Sequence, residues 1–314
     1  DGFFIVKSFV SNVNSLILKI SEIKYLGLVD GLNMQFILIA ALFSVSVSIA
    51  LKLYRQYGMN IIHLLTVNYI TASVQCFLWF KPTFNIAQLE HSWWLIGTLA
   101  VILPSIFWCL DRALHHAGLI KTEIAQRLSV VLTILVSTLI YQEQFSSLKI
   151  FGIVLGVAAV LIMLIGQGSA KSSQSVAAWL SILSVWIGYA VIDLLFKYTS
   201  GLGLQFAMSL NAIFICSAIL CLFASLFQSQ VLTLKTLIAG MILGALNFAN
   251  IAFYLYAHRE LSDSPALVFA SLNIMVVCFG ILAAVLIFKE QLNQSRAVGG
   301  MLAIVAVLIL MQSM

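Results

Sequence analysis

Residues 126–164 read QRLSVVLTILVSTLIYQEQFSSLKIFGIVLGVAAVLIML, two long apolar runs on either side of a short polar turn that contains Glu143. A second stretch repeats this pattern at residues 273–311, which read NIMVVCFGILAAVLIFKEQLNQSRAVGGMLAIVAVLILM. The two stretches align without a gap at an offset of 290 − 143 = 147 residues. The matched pairs include Glu143 with Glu290, Gln144 with Gln291, Lys149 with Arg296, Gly152 with Gly299 and Leu155 with Leu302. A repeat of this length predicts one half-protein built twice.

The composition predicts an integral membrane protein. Of the 314 residues, 62% are hydrophobic and 9% are charged, and the mean hydropathy is +1.09. Soluble domains carry roughly 45–50% apolar and about 25% charged residues, so this chain lacks the polar surface that water would require. Its apolar runs approach the length of about 20 residues that a membrane-spanning helix needs, rather than that of a barrel strand. The net charge of +5 is scattered, which suits contact with anionic lipid and gives no basis for a nucleic-acid partner.

Hydropathy predicts an all-α integral membrane fold with ten transmembrane helices, five in each half. Because five is an odd number, the second half enters the membrane from the opposite side, and the halves form two inverted-topology repeats. The first repeat covers 34–167 and the second covers 175–314, with a Gly/Ser-rich connector between them. The expected spans are 34–54, 60–80, 92–112, 117–141, 147–167, 175–197, 204–228, 235–257, 264–288 and 294–313.

Residues 1–33 stand apart from both repeats. The stretch is moderately apolar, but Lys7, Lys19 and Lys24 interrupt it too often for a membrane span. It is predicted either as an amphipathic helix on the membrane surface or as a non-native extension, and the sequence leaves both open.

Two inverted halves in an apolar chain are a known construction of secondary transporters, which work by alternating access. The expected partners are a small-molecule solute and the lipid bilayer, and the expected assembly is a monomer or weak dimer. Two alternatives stay open: a non-transporting membrane sensor or scaffold subunit, and a channel. The sequence has no metalloprotease, hydrolase or P-loop signature, and its five cysteines lack metal-ligand or redox spacing. We therefore expect no enzyme activity, no catalytic residue, no metal and no cofactor.

The two hairpins, YQEQ…FGIVLGVAAVLIML and FKEQ…VGGMLAIVAVLIL, resemble the ends of the two halves of the drug/metabolite transporter superfamily, specifically the EamA-type ten-helix permeases. The resemblance covers the chain from Met34 to the end. It implies a bacterial inner membrane protein with both termini cytoplasmic that moves a small organic metabolite or drug, usually outward. Further segments that look like the family are VNYI at 67–70, QRLSVV at 126–131 and GALNFANIAFY at 244–254.

The chain departs from the common family pattern in two helices. The first has Ser44, Ser46 and Ser48 where many members carry Trp-Gly, and the fourth has Leu132 where a proline is frequent. Both departures fall near the expected cavity, so the family does not indicate which solute is carried.

The repeat separates polar residues into two groups. A residue that both halves carry is expected to belong to the scaffold, whereas one that a single half carries can shape a site for an asymmetric solute. We expect Glu143 and Glu290 to cap the helix that follows each of them. The other shared pairs are Lys52 with Lys197, Asn68 with Asn211, and Gly152 with Gly299.

The fourth span carries a charged pair that the other half lacks. Glu123 and Arg127 are four residues apart on one helical face, and their counterparts are Ala270 and Ile274. They form either a structural ion pair or part of the solute site, with Arg127 holding an anionic group or Glu123 taking a proton.

Further site candidates lie on the fourth, sixth, eighth and ninth spans. Each has a structural alternative, such as interhelical hydrogen bonding for the asparagines or an Asp193–Lys197 pair at the headgroups. Asp193 joins Glu123 as a proton-coupling candidate, and the aromatic side chains could stack on a solute. The remaining candidates are Gln126, Trp186, Tyr189, Asn247, Asn250, Tyr254 and Asn273.

Overall fold

A computed structural model of the chain describes residues 35–82, 93–141, 146–165, 172–201, 206–260, 265–291 and 294–312. Within these ranges every regular element is an α-helix, which confirms the all-α class. The predicted extension at 1–33 lies outside the described residues. The helices are α1 (Gln35–Gln56), α2 (Ile61–Phe80), α3 (Trp93–His116), α4 (Leu119–Arg127), α5 (Ser129–Tyr141), α6 (Ser147–Ile165), α7 (Ser172–Gly201), α8 (Phe206–Ser225), α9 (Leu234–Glu260), α10 (Pro265–Leu286) and α11 (Gln294–Gln312).

Most of these helices are long and apolar enough to cross a membrane. Among the described residues, six stretches qualify by length and composition, and they lie in α1, α2, α3, α7, α8 and α9. Shorter apolar stretches lie in α6, α10 and α11, at Ile150–Ala159, Leu272–Leu286 and Ala297–Ile309. The chain is therefore a multi-pass membrane protein, and the count of ten spans stays a prediction.

The fourth predicted span is not one continuous helix, which corrects the expectation for 117–141. Helix α4 ends at Arg127 and α5 begins at Ser129. Between them Leu128 has φ −75° and ψ −3°, and its N–H still bonds to Ile124 O at 2.9 Å. The carbonyl of Leu128 accepts from Val131 N at 3.0 Å, which is the tighter i→i+3 pattern of a helix interruption. The apolar sequence conceals this break because hydropathy does not record backbone angles.

The helices pack in reciprocal pairs. We match α1 to α3 of the first half with α7 to α9 of the second, and α4 and α5 together with α10. Most of the main helix–helix contacts then recur between the corresponding helices. Thus α2 packs on α9 as α8 packs on α3, and α1 packs on α10 as α7 packs on α4 and α5. Helix α6 packs on its own counterpart α11. Two halves related by a two-fold axis would produce this pattern.

Pro104 lies inside α3 without ending the helix. A proline has no backbone N–H, so the carbonyl four residues earlier, that of Ala100, loses its partner. The hydroxyl of Ser217 on α8 donates to Ala100 O at 3.0 Å. A bond between helices thus replaces the missing bond within α3 and fastens α3 to α8.

Candidate functional site

Polar side chains from α1, α4, α5, α7 and α9 converge around the break between α4 and α5. We call this group the Arg127 cluster. Arg127 is the last residue of α4, and it interacts electrostatically with acidic and phenolic groups on α4, α7 and α9. The members of the cluster are Ser44, Ser48, Glu123, Gln126, Arg127, Ser129, Thr133, Tyr189, Asp193 and Tyr254.

Glu123 is the most deeply buried acid of the cluster. It is 1% exposed, and neither carboxyl oxygen has a hydrogen-bond partner among the described residues, although the Ser48 hydroxyl lies beside it. Its side chain lies against Gly280 of α10, where a Cβ atom would stand 2.9 Å from Glu123 Cγ. A glycine at position 280 is therefore what gives Glu123 its space.

Arg127 does not pair with Glu123, although the two are four residues apart. Two ion pairs between described residues are Lys52–Glu290 and Arg55–Asp111, and neither includes Glu123 or Arg127. Arg127 instead donates through a terminal guanidinium nitrogen to Ser44 Oγ of α1, and its buried Nε has no partner within the described ranges. The structural ion pair that the sequence allowed is thus not formed, and both charged groups keep unused hydrogen-bonding capacity.

Asp193 of α7 faces the start of α5. Its Oδ2 accepts from Ser129 Oγ at 3.2 Å and from Thr133 Oγ1 at 3.4 Å. These two hydroxyls show that Asp193 packs against α5, and the alternative of an Asp193–Lys197 pair at the headgroups stays open. The side chain of Lys197 lies outside the described residues.

Two aromatic candidates on α7 play different parts. The indole N–H of Trp186 donates to the carbonyl of Leu128 at 2.9 Å, so Trp186 supports the helix break. Tyr189 lies within electrostatic reach of Arg127, Glu123 and Asp193. Stacking on a solute therefore stays a prediction for both rings, and Trp186 has a structural contact that the sequence did not indicate.

Of the candidates on α9 and α10, Tyr254 is the one with a described interaction with the Arg127 cluster. Tyr254 interacts electrostatically with Asp193 and Arg127 and thus joins the cluster. Asn247 and Asn273 are buried, at 8% and 5% exposure, and Asn250 is partly buried. Gln126 of α4 has a buried side-chain oxygen without a partner. The role of these four amides in a solute site stays a prediction.

The shared polar residues give one correction. Glu290 was expected to cap the helix that follows it, α11, but its carboxylate binds the first amides of α4 instead. The reason is that the chain turns after α10 towards the start of α4. Glu143 lies outside the described residues.

Asn68 and Asn211, which occupy matching positions in the two halves, differ in their hydrogen bonds. Asn211 of α8 donates to Ser73 O at 3.1 Å and accepts from Ser73 Oγ at 3.4 Å, which ties α8 to α2. Asn68 of α2 is buried, and neither of its amide atoms has a partner among the described residues. The structural role expected for the pair is visible for Asn211.

Sequence reasoning missed several polar contacts. Ser129 and Thr133 looked like ordinary members of an apolar run, and no spacing rule marks them as partners of Asp193. The ion pair of Arg55 with Asp111, which ties α1 to α3, was detectable in principle. Asp111 is an acid inside the third predicted span, and such an acid needs a partner.

Clusters of metal-ligating side chains are absent from the part of the chain that the structure describes. No group of three or more His, Cys, Asp or Glu side chains could hold an ion there. The five cysteines are free thiols.

Comparison with known proteins places the chain in a family. The model of the EamA-like transporter family matches residues 32–165. A Haemophilus influenzae protein described as uncharacterized is 36% identical over 274 residues, which cover 85% of this chain and 94% of that protein. A crystal structure with 15% identity is similar in fold, with a TM-score of 0.55 over 86% of this chain and 97% of the other. The resemblance seen in the two hairpins is thus confirmed, and the chain belongs to the EamA-like transporter family, within the drug/metabolite transporter superfamily.

Proposed function

We propose that the protein is a secondary transporter that exports a small organic metabolite or drug across a bacterial inner membrane by alternating access. The two halves, 34–167 and 175–314, are the bodies that move against each other, both termini are cytoplasmic, and the unit is a monomer or weak dimer. Family membership and the reciprocal packing of the helices support this proposal. The Haemophilus influenzae relative supports a bacterial source, and the inner membrane is what the family resemblance implies.

The unpaired Glu123 carboxyl carries the proposal. A charged group at the centre of a membrane costs roughly 2.5–3.5 kcal/mol on insertion scales, and such groups mark solute or proton pathways. Glu123 is buried beside the Ser48 hydroxyl, and neither of its oxygens has a hydrogen-bond partner among the described residues. It lies one turn from Arg127, with which it forms no ion pair in the described part of the chain. A purely structural carboxyl would be expected to have a partner, so this arrangement favours a group that binds something the protein itself does not supply.

The cluster suggests a division of roles. The Nε–H of Arg127 has no partner among the residues that the structure describes, so it can donate to an anionic group of the solute. Glu123 or Asp193 takes and releases the proton that drives export. Tyr189 and Tyr254, which lie beside these charged groups, and the ring of Trp186 provide aromatic surface for the rest of the solute.

A two-stage experiment tests the proposal. The purified protein is screened by thermal shift against amino acids, nucleobases, sugars and cationic drugs, and each stabilising compound is then assayed for flux in proteoliposomes. The proposal predicts a compound that raises the melting temperature and crosses the membrane with saturable kinetics. Binding without flux would indicate a sensor or scaffold subunit, and flux that does not saturate would indicate a channel.

A further inference from the structure

The chain after α10 turns back and presents Glu290 to the start of another helix. Lys289 adopts φ 51°, a left-handed conformation that ends α10. The N–H of Glu290 then bonds to Ala284 O at 3.0 Å, which fixes the turn. The backbone thus holds Glu290 in place before its side chain makes any contact.

The carboxylate of Glu290 caps α4. The first amides of a helix have no partners within it and carry partial positive charge, so they favour a carboxylate. Leu119 N donates to Glu290 Oε1 at 2.7 Å and Ile120 N donates to Oε2 at 3.4 Å. Gly118, which precedes α4, has no side chain to do this. The cap of α4 therefore comes from a residue 171 positions away along the chain.

Lys52 of α1 completes the contact. Its ammonium forms an ion pair with Glu290 and lies 4.2 Å from the centre of the Phe288 ring. The two charged side chains are only 14% and 12% exposed, so water screens the pair weakly. A single carboxylate thus joins the end of α1, the end of α10 and the start of α4, a region that we call the Lys52 end.

Gly118 leaves the space that the carboxylate fills. A Cβ atom at this position would stand 2.9 Å from both Glu290 oxygens, and the backbone has φ +86°, which side chains other than glycine rarely adopt. The absence of a side chain at position 118 and the carboxylate at position 290 are therefore complementary.

The capped helix is also the one that carries the site. A helix rises 1.5 Å per residue, so Glu123 lies about 4 × 1.5 = 6 Å and Arg127 about 8 × 1.5 = 12 Å along the axis from Leu119. Helix α4 is a separate helix of nine residues that ends at the break after Arg127. Its position is then set at one end by Glu290 and at the other by the Trp186–Leu128 bond.

We propose that Glu290 is a positioning residue that, together with Lys52, holds α4 in place and closes the Lys52 end above the Arg127 cluster. A solute reaches or leaves the cluster through this end only when the carboxylate releases the α4 amides. This inference rests on the proposed transport function for its role, but the cap itself can be tested without a solute.

Hydrogen–deuterium exchange of the full chain in nanodiscs tests the cap. Glu290→Gln keeps the size of the side chain and removes its charge, and it should speed exchange of the α4 amides by about tenfold. Lys52→Gln, which leaves the carboxylate in place, should give a smaller increase. Glu260→Gln removes an exposed carboxyl at the end of α9 and serves as the matched control, with no change in α4.

The helices in which hydrogen exchange increases show whether Glu290→Gln opens the Lys52 end or destabilises the whole protein. Opening of the Lys52 end predicts faster exchange in α4 and at the ends of α1 and α10, with α2, α8, α6 and α11 unchanged. A uniform increase over all helices, or an α4 that exchanges as in the unmodified protein, would overturn the inference. The charge swap Lys52→Glu with Glu290→Lys should not restore protection, because a lysine cannot accept from the α4 amides; full restoration would also overturn the cap.

Failure of the cap and failure of the proposed transport function give different combinations of exchange and flux. If the protein shows no flux of any compound but Glu290→Gln loosens α4 locally, the proposed function fails and the cap stands. If flux is present and Glu290→Gln leaves both α4 exchange and the flux rate unchanged, the proposed function stands and the inference fails.

Discussion

Glu290 and Glu123 are the same side chain in opposite circumstances. Glu290 lies at the Lys52 end, partly exposed, and binds Lys52 and two backbone amides. Glu123 lies deep in α4 and has no partner for either oxygen among the described residues. Glu290 has a counterpart in the other half of the sequence, whereas the place that corresponds to Glu123 holds Ala270. Of these two carboxyls, the one that both halves keep has partners in the fold, and the one that a single half keeps has none among the described residues, which is why we propose Glu123 for a ligand or a proton.

The largest expected effect is on flux. Glu123→Gln should lower pH-gradient-driven flux of the compound found in the thermal-shift screen by at least about tenfold, since the amide cannot carry the proton. Proteoliposomes with and without a pH gradient give the measurement. If the variant responds to the gradient as the unmodified protein does, Glu123 is not the proton site, and Asp193→Asn becomes the variant to compare.

Substitution of Glu290 and substitution of Glu123 should affect the stability of the protein differently. Glu290→Gln breaks an ion pair that is mostly shielded from water and should destabilise the protein by about 3 kcal/mol. Glu123→Gln replaces a buried carboxyl that has no hydrogen-bond partner among the described residues with an amide of similar size, and it should leave the stability unchanged or raise it. Thermal unfolding in detergent measures both, with Glu260→Gln as the control. An equal loss of stability in Glu290→Gln and Glu123→Gln would contradict the different roles of the two carboxyls.

Gly280→Ala tests the space around Glu123. The added Cβ would stand 2.9 Å from Glu123 Cγ, and overpacking of this kind typically costs about 2 kcal/mol. The matched control is Gly97→Ala, because a Cβ there meets no atom within 4 Å. Similar unfolding temperatures for the two variants would show that Glu123 does not occupy the position described.

The smallest expected effect concerns the helix break. Trp186→Phe removes the donor to the Leu128 carbonyl and should cost about 1 kcal/mol. Hydrogen exchange should increase around residues 128–131. Trp79→Phe also loses an indole hydrogen bond, to Tyr256 at an exposed position, and should leave that segment unchanged. An equal response at 128–131 in both variants would contradict a specific role for Trp186.

The sequence indicated the helices well because hydropathy reports burial in lipid directly. The second span, for example, was predicted at 60–80 and runs from Ile61 to Phe80. The repeat also assigned Glu290 to the scaffold. It could not say which helix Glu290 caps, because the contact with Leu119 depends on how the chain folds back over 171 residues.

The contacts within the Arg127 cluster were harder to predict from the sequence than the helices. The four-residue spacing of Glu123 and Arg127 suggested an ion pair, but packing directs Arg127 to Ser44 on another helix. The break at Leu128 is a matter of backbone angles, and an apolar run carries no sign of it. Spacing along a helix indicates which side chains share a face, whereas tertiary packing decides which of them meet.

The central claim is that the Arg127 cluster binds the solute. The most direct measurement is the thermal shift that a saturating solute produces in Arg127→Ala, compared with Arg112→Ala. Arg112 is an exposed arginine stacked on Trp108, so its removal tests the loss of a charge outside the cluster. We expect Arg127→Ala to fold but to lose the solute-induced shift in melting temperature, whereas Arg112→Ala should keep it. An unchanged shift in a folded Arg127→Ala protein would contradict the account.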